Sequence, residues 1–397
     1  MPTVIVRMGE RGNVSRDSFM DLARDLAERG RLTAAPNPLV GAAIVRGNSV
    51  ISEGWHVRPG TDHAEAMALK KAGGKARGAT MYVTLEPCNC HHFTPGPSCA
   101  EAILKAGIER VVVGHLDPNP WMNGKSIGIL RDAGVEVEVA HDSAFDTQNE
   151  QFFWRMRTGR PFVHLKMATT LDGRIAAAGG DSKWVTGDDS RRRAHELRAE
   201  AGAVLVGAGT VRADDPTLDA RDVDEEPPRI TRVVLDPRVT TSPESRIART
   251  ADELPAVVFA DHKYLDGREK GLRKRGVEVV GVPATWRGLD LPFVLNELGS
   301  RDIRGVLVEG GGGTARSFVE RRLVNKMSLF YAPKLIGADG IPMIGAMRIS
   351  KMAEAFRFSV ADVGMFGDDV SVTLYPKDEV ESDDISEAKE EHVHRAG

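Results

Sequence analysis

Cysteine is scarce: the 397-residue chain has three, and all of them fall between positions 88 and 99. A disulfide framework spreads its cysteines along a chain, so this clustering excludes one and points to metal chemistry in a reducing compartment. Long apolar runs are missing too, since no segment approaches the ~20 residues a membrane span needs. The opening MPTVIVRMGERGNVSRD holds no apolar core of signal-peptide length, and the expected location is the cytoplasm. Charge of one sign is also sparse. A net charge of −4 offers no general surface for nucleic acid or membrane. Most of that excess lies in 377–397, where eight acidic residues stand against Lys377, Lys389 and Arg395. Such a polar, aromatic-free end reads as a disordered tail.

What is present is a repeated alternation of helical and strand patterns. Residues 15–30 fit an amphipathic helix with Ser15 as N-cap and Gly30 at its end. Strands are expected at 40–45 and 49–55, as a hairpin, and at 80–85, 110–113 and 135–139. Helices are expected at 62–72, capped by Asp62, and at 97–106 and 127–133. A second series follows a linker at 146–160. It has strands at 162–168, 203–206, 232–235, 256–259, 277–280 and 305–309, and helices at 188–199 and 315–322. The length and this order imply an α/β protein of two domains, 15–145 and 161–376, flanked by an extension at 1–14 and the tail.

The sharpest chemical signal is His63-Ala64-Glu65, followed by Pro87-Cys88 and then Cys99. Hydrolysis of an aromatic amine at zinc needs three ligands, an open fourth position for water, and a carboxylate that shuttles protons without binding the ion. Two residues on a helix lie about 200° apart around its axis, so His63 can face the metal while Glu65 faces the reacting carbon. Cys88 and Cys99 each sit near an expected helix start, where the thiolate is favoured. The pattern H-x-E…P-C…C belongs to the zinc base deaminases. That class usually spaces its cysteines C-x-x-C, whereas ten residues separate Cys88 from Cys99. Cys90 is a rival third ligand. Cys99 is preferred, because a Cys-x-Cys pair less commonly reaches one ion.

Long stretches resemble the bifunctional deaminase–reductases of riboflavin biosynthesis. The motifs that carry the likeness are Pro36-Asn37-Pro38-Leu39-Val40-Gly41, Glu53-Gly54-Trp55-His56, His63-Ala64-Glu65, Leu85-Glu86-Pro87-Cys88 and Asp117-Pro118-Asn119-Pro120. Lys166-Met167-Ala168, Leu171-Asp172-Gly173-Arg174, Ala213-Asp214-Asp215-Pro216 and Glu309-Gly310-Gly311 continue it. The resemblance implies a cytidine-deaminase-like α/β/α domain followed by a dihydrofolate-reductase-like α/β domain. It implies zinc-dependent deamination of a phosphorylated diaminopyrimidinone and then NADPH-dependent reduction of its ribosyl group to ribityl. It also implies a homo-oligomer. The family shares the long zinc spacing, which supports Cys99.

Roles follow residue by residue from the same likeness. His63, Cys88 and Cys99 would hold zinc, and Glu65 would move protons. Asn37, His56, Asp117 and Asn119 would line the pyrimidine and sugar pocket, although N-P and D-P-N-P also form turns unaided. NADPH would lie against Ala168, Trp184, Thr210, Asp214 and the run Gly311, Gly312, Gly313, Thr314, Ala315, Arg316 and Ser317. Substrate would meet Ser182, Arg198, Leu218, Arg221 and Glu309. Lys166, Asp214 and Glu309 would position or polarise the carbon that accepts hydride. Arg191, Arg192 and Arg193 read instead as a solvated charged face. The glycine run does not match G-x-G-x-x-G and comes late in its domain, which disfavours a Rossmann dehydrogenase.

One position departs from the family. Phe93 stands where a basic residue precedes T-P-P-C and meets the substrate phosphate, and the loop is two residues longer. His91, His92 or Lys125 would have to compensate, or the substrate would lack that phosphate. Two other readings follow: a related enzyme acting on another pyrimidine-like intermediate, and a binding or regulatory protein with a vestigial site. A nucleic-acid deaminase finds no support, for want of a basic, aromatic-rich stripe.

Overall fold

Apolar alternation builds two large sheets in the computed structural model, which describes residues 16–89, 97–141, 143–223, 229–286 and 288–377. The chain divides into two units, one ending at Phe153 and the other beginning at Trp154. The first contains α1 (Arg16–Glu28), β1 (Gly41–Arg46), β2 (Ser49–Trp55), α2 (Ala64–Ala72), β3 (Thr80–Leu85) and α3 (Cys99–Ala106). β4 (Arg110–His115), α4 (Lys125–Asp132), β5 (Glu136–Val139) and α5 (Ser143–Gln148) follow, and α6 (Glu150–Thr158) crosses the division. The stretch expected as a linker, 146–160, is therefore largely helical.

The first sheet has the order β2-β1-β3-β4-β5. β1 runs antiparallel to both its neighbours, and β3, β4 and β5 are parallel. Successive strand residues point to opposite faces. Met81, Val83, Val111 and Val113 therefore pack with Ala64 and Ala68 of α2, Ile103 of α3 and Leu130 of α4. Tyr82 and Val112 meet Phe19, Met20 and Ala23 of α1 on the other face. The result is the expected α/β/α sandwich. Asp62 does not cap α2. Its N-cap is His63, without a side-chain cap bond, and the Asp62 carboxylate pairs instead with Lys70 at 2.6 Å. α3 begins two residues later than its expected bound, where Ser98 and Glu101 form a capping box.

The second unit opens with β6 (Phe162–Thr170), β7 (Arg174–Ala176), α7 (Asp188–Ala201), β8 (Ala203–Gly207), α8 (Ala208–Asp214) and β9 (Thr231–Leu235). Next come α9 (Arg246–Arg249), β10 (Ala256–Asp261), α10 (Lys270–Lys274), β11 (Glu278–Val282) and the short pair β12 (Ala284–Thr285) and β13 (Gly288–Leu289). α11 (Leu291–Gly299), β14 (Gly305–Val308), α12 (Gly312–Glu320), β15 (Lys326–Ala332), β16 (Ile341–Pro342), β17 (Phe358–Phe366) and β18 (Asp369–Pro376) complete it. The nine-stranded sheet has the order β11-β10-β9-β8-β14-β6-β15-β18-β17. It is parallel as far as β15, and β18 and β17 add an antiparallel end.

The order turns back between β8 and β14. From β8 the chain proceeds outward through β9, while from β14 it proceeds past β6 to β15. The helices that follow these two strands lie on opposite faces: α8 packs with Val204 and Val206, and α12 with Leu205 and Val308. Such a reversal leaves a crevice outside the carboxyl ends of the strands, where α/β proteins bind their ligands.

Candidate active sites

In the first unit, the N-terminus of α2, the segment after β3 and the start of α3 converge. His63 Nδ1 lies 3.5 Å from Cys88 Sγ and 3.3 Å from Cys99 Sγ, and the three ligand atoms are all within 4.8 Å of one another. The Cys99 amide donates to Cys88 Sγ at 3.3 Å. Donation from Cys99 and the nearby His63 hold the Cys88 thiol down at about 4, against burial. The Cys88 contact, with burial, pushes the Cys99 thiol well up. A thiolate beside a thiol and an imidazole is a donor set that releases protons when a cation enters. One His and two Cys match the three protein ligands of a catalytic zinc site. The residues present therefore fit zinc. Cys90 lies outside the described residues, as do Ser15, His91, His92 and Phe93.

Glu65 follows on the first turn of α2 and is buried. Burial lifts its carboxyl to about 7; the charge of a bound divalent ion acts the other way. His56 is buried beside His63, with ring centroids 5.5 Å apart. Burial lowers His56 to about 4, so its ring is neutral near pH 7. Its Nε2 lies 3.0 Å from Asn37 Nδ2, which can only donate, so Nδ1 carries the proton and faces the Asp62 carbonyl at 3.3 Å. Asp117 is half-buried at the loop after β4, and burial raises it to about 6. Asn119 Oδ1 accepts the Trp121 amide at 3.0 Å, so this side chain closes a turn. Lys125 is exposed, with Nζ 5.9 Å from the Trp121 ring centroid.

In the second unit, Arg198 on α7 grips Glu309 in a bidentate fork, Nε to Oε1 at 2.9 Å and Nη2 to Oε2 at 2.8 Å. Burial pushes Glu309 up, but the charges of Arg198 and Lys166 outweigh it and hold the carboxyl at about 2. Burial lowers the Lys166 ammonium, and Glu309 opposes that. Lys166, Arg198 and Glu309 thus form one charged cluster. Arg198 Nη1 also donates to the Asp219 carbonyl at 2.9 Å. Asp214 stands exposed at the end of α8, 3.5 Å from Ser182 Oγ. Arg221 is exposed and pairs with Asp219.

The glycine turn lies at the reversal of strand order. Gly310 has φ +101°, and a Cβ there would come within 2.5 Å of Thr210 Oγ1. A Cβ on Gly207 would meet Thr314 Oγ1 at 2.7 Å, so the turns after β8 and β14 lie against each other. Gly311 and Gly313 face open space, which leaves the first turn of α12 approachable by a ligand backbone-first. That arrangement fits cofactor phosphates. Trp184 is exposed and carries Arg191 over its ring at 4.6 Å.

One expectation, for Arg193, needs correction, and two take a narrower form. Leu218 and Ala315 have their side chains in the apolar cores, so each can offer a ligand only backbone. Arg193 is not on a solvated face, because Glu196 and Glu200 hold it half-buried. Other contributors carry little or no signal of their role in the sequence. Asn149 is buried and clasps Leu39 from both sides, with bonds of 2.7 and 3.0 Å, which steadies the segment bearing Asn37. His195 Nδ1 lies 3.0 Å from the Asp219 carbonyl and 3.3 Å from the Arg221 amide nitrogen, so the ring's tautomer decides which of the two it serves. Glu86 grips the loop that holds Asp117. A charge at the end of the apolar run before Pro87-Cys88 is the one signal that marks it.

Residues 14–115 match the model for the cytidine and deoxycytidylate deaminase zinc-binding region, and 161–372 match that for the RibD C-terminal domain. The riboflavin biosynthesis protein RibD of Aquifex aeolicus (strain VF5) is 40% identical over 357 residues, covering 89% of this chain and 97% of that protein. The chain belongs to the RibD family. RibD of Escherichia coli (strain K12) is 36% identical, with 90% of this chain and 98% of the relative covered. The solved structure of Acinetobacter baumannii RibD, form 1, agrees with a TM-score of 0.82 at 36% identity, over 91% of this chain and 98% of that one. A diaminohydroxyphosphoribosylaminopyrimidine deaminase/5-amino-6-(5-phosphoribosylamino)uracil reductase from Thermotoga maritima agrees with a TM-score of 0.78 at 35% identity, over 91% and 98%. As a RibD the chain is a two-headed enzyme of riboflavin biosynthesis, a zinc deaminase and an NADPH reductase. The readings as a paralogue with another substrate or a vestigial binding protein are not favoured. Among the described residues, no helix is long and apolar enough to cross a membrane.

Proposed function

We propose that the chain deaminates a diaminohydroxyphosphoribosylaminopyrimidine and then reduces a 5-amino-6-(5-phosphoribosylamino)uracil, the two activities for which its Thermotoga maritima relative is named. The observation that carries the first step is the His63, Cys88 and Cys99 cluster with Glu65 buried alongside. Zinc held by the three would supply Lewis-acid charge for activating water. Glu65 takes a proton from the attacking water and delivers it to the departing amine nitrogen. Asn37 and the neutral His56 orient the pyrimidine, and Asp117 offers a further polar contact.

For the second step NADPH supplies the hydride. Residues 311–317 at the first turn of α12 would hold its phosphates, and Thr210 and Trp184 would flank it. Arg198 and Arg221 suit a phosphorylated ligand, although Arg198 is already engaged by Glu309. Lys166 and Glu309 polarise and position the ribosyl carbon, and Asp214 with Ser182 bounds the same pocket. We assign deamination to 15–145 and reduction to 161–376, in a cytoplasmic homo-oligomer that uses a small phosphorylated pyrimidine and neither nucleic acid nor membrane.

The test is ammonia release by Glu65→Gln. The variant should keep zinc and lose deamination by about 10²–10⁴, the usual contribution of a general acid–base group. Near-normal turnover in a zinc-replete variant would rule this role out.

A further inference from the structure

We propose that Glu86 is a positioning residue for the deaminase, whose side chain clamps both ends of the 117–126 loop and thereby presents Asp117 to the substrate. The inference rests on the deaminase reading above and deepens it. Glu86 is 4% exposed, and its carboxylate is fully engaged. Oε2 accepts the amides of Asp117 at 3.2 Å and Gly124 at 2.8 Å. Oε1 accepts the Ser126 amide at 3.2 Å and the Ser126 hydroxyl at 2.8 Å. Its own amide donates to the His115 carbonyl at 2.9 Å, which ties the end of β3 to the end of β4.

The clamp joins the loop's entry at Asp117 to its exit at the first turn of α4. Between those ends the bonds are local: Asp117 Oδ1 accepts the Asn119 amide at 2.8 Å, and the Asn119 carbonyl accepts that of Met122 at 2.8 Å. Glu86 thus also serves amides that the helix start leaves without an intrahelical partner. An amide side chain cannot replace it. Turned either way, the NH2 of a glutamine would face at least one backbone N–H, donor against donor. The site it governs is the pocket and not the metal, because the side-chain bonds above go only to the loop and to α4.

The experiment is Glu86→Gln in the full chain, read by zinc content, by deamination kinetics, and by NADPH oxidation with the deaminated substrate supplied. Zinc and NADPH oxidation should be unchanged. KM for deamination should rise about tenfold or more while kcat moves less, the scale of a lost bond to a charged group. Asp117→Asn added to Glu86→Gln should bring little further loss, since residues acting through one contact are not additive. Ser126→Ala, which removes one of the four bonds, should shift KM in the same direction by less. An unchanged KM beside a deaminating wild type would overturn this inference alone. So would loss of zinc or of both activities, or strict additivity with Asp117→Asn. A wild type that releases no ammonia would overturn the deaminase reading and this inference with it.

Discussion

At the scale of single residues, the chemistry depends on which side chains burial forces into partnership. Cys99 is buried at the start of α3, and its amide already points at Cys88. Cys99→Ala should therefore lose most bound zinc by elemental analysis, and Cys90→Ala should keep it. The reverse pattern would move the third ligand to Cys90. Glu309 is the corresponding fixed point of the second unit. Its carboxyl is held at about 2 against an ordinary 4.5, so its contribution to stability is complete above about pH 4.5 and is lost as pH falls toward 2. Glu309→Gln should cost roughly 3–4 kcal/mol at neutral pH, leaving Arg198 and Lys166 without their partner. In chemical denaturation, the gap between wild type and variant should narrow below about pH 4.5. A gap independent of pH would contradict the pairing.

At the scale of elements, the two turns at the reversal of strand order make a sharper contrast. Gly310→Ala puts a Cβ against Thr210 on a left-handed backbone, and should cost about 1–3 kcal/mol in thermal or chemical denaturation. Gly313→Ala meets no protein atom within 4 Å and should leave stability intact while weakening NADPH in a fluorescence titration. Equal effects of the two on stability would mean the turn is not packed this way. Elements with alternating or amphipathic patterns are legible in the sequence: β2 and β3 fall on their expected bounds. Those that solvent surrounds are not. β17 is exposed at most positions, so no buried period distinguishes it. α11 has clear signals in Asp290 as N-cap and Pro292 in its first turn, but its apolar face gains meaning only against the sheet. The zinc cluster is legible because its residue types are rare. The Glu86 clamp spans up to 40 positions in sequence and involves mostly backbone amides, so no spacing rule exposes it.

At the scale of the whole molecule, the two motif sets fall on separate units, each with its own sheet and core. Each unit places its candidate site at the carboxyl ends of parallel strands, and the described candidate residues of each fall within one unit. The central claim is that one chain carries out two successive reactions at two sites. Mass spectrometry of the products from the diaminopyrimidine substrate tests it most directly, with and without NADPH, for wild type and Asp214→Asn. Without NADPH, wild type should stop at the compound in which oxygen replaces one amine. With NADPH it should yield the same compound carrying two more hydrogens. Asp214→Asn should accumulate the deaminated, unreduced compound under both conditions. A folded Asp214→Asn protein that loses deamination as well, or a wild type whose product never gains hydrogen from NADPH, would contradict the account.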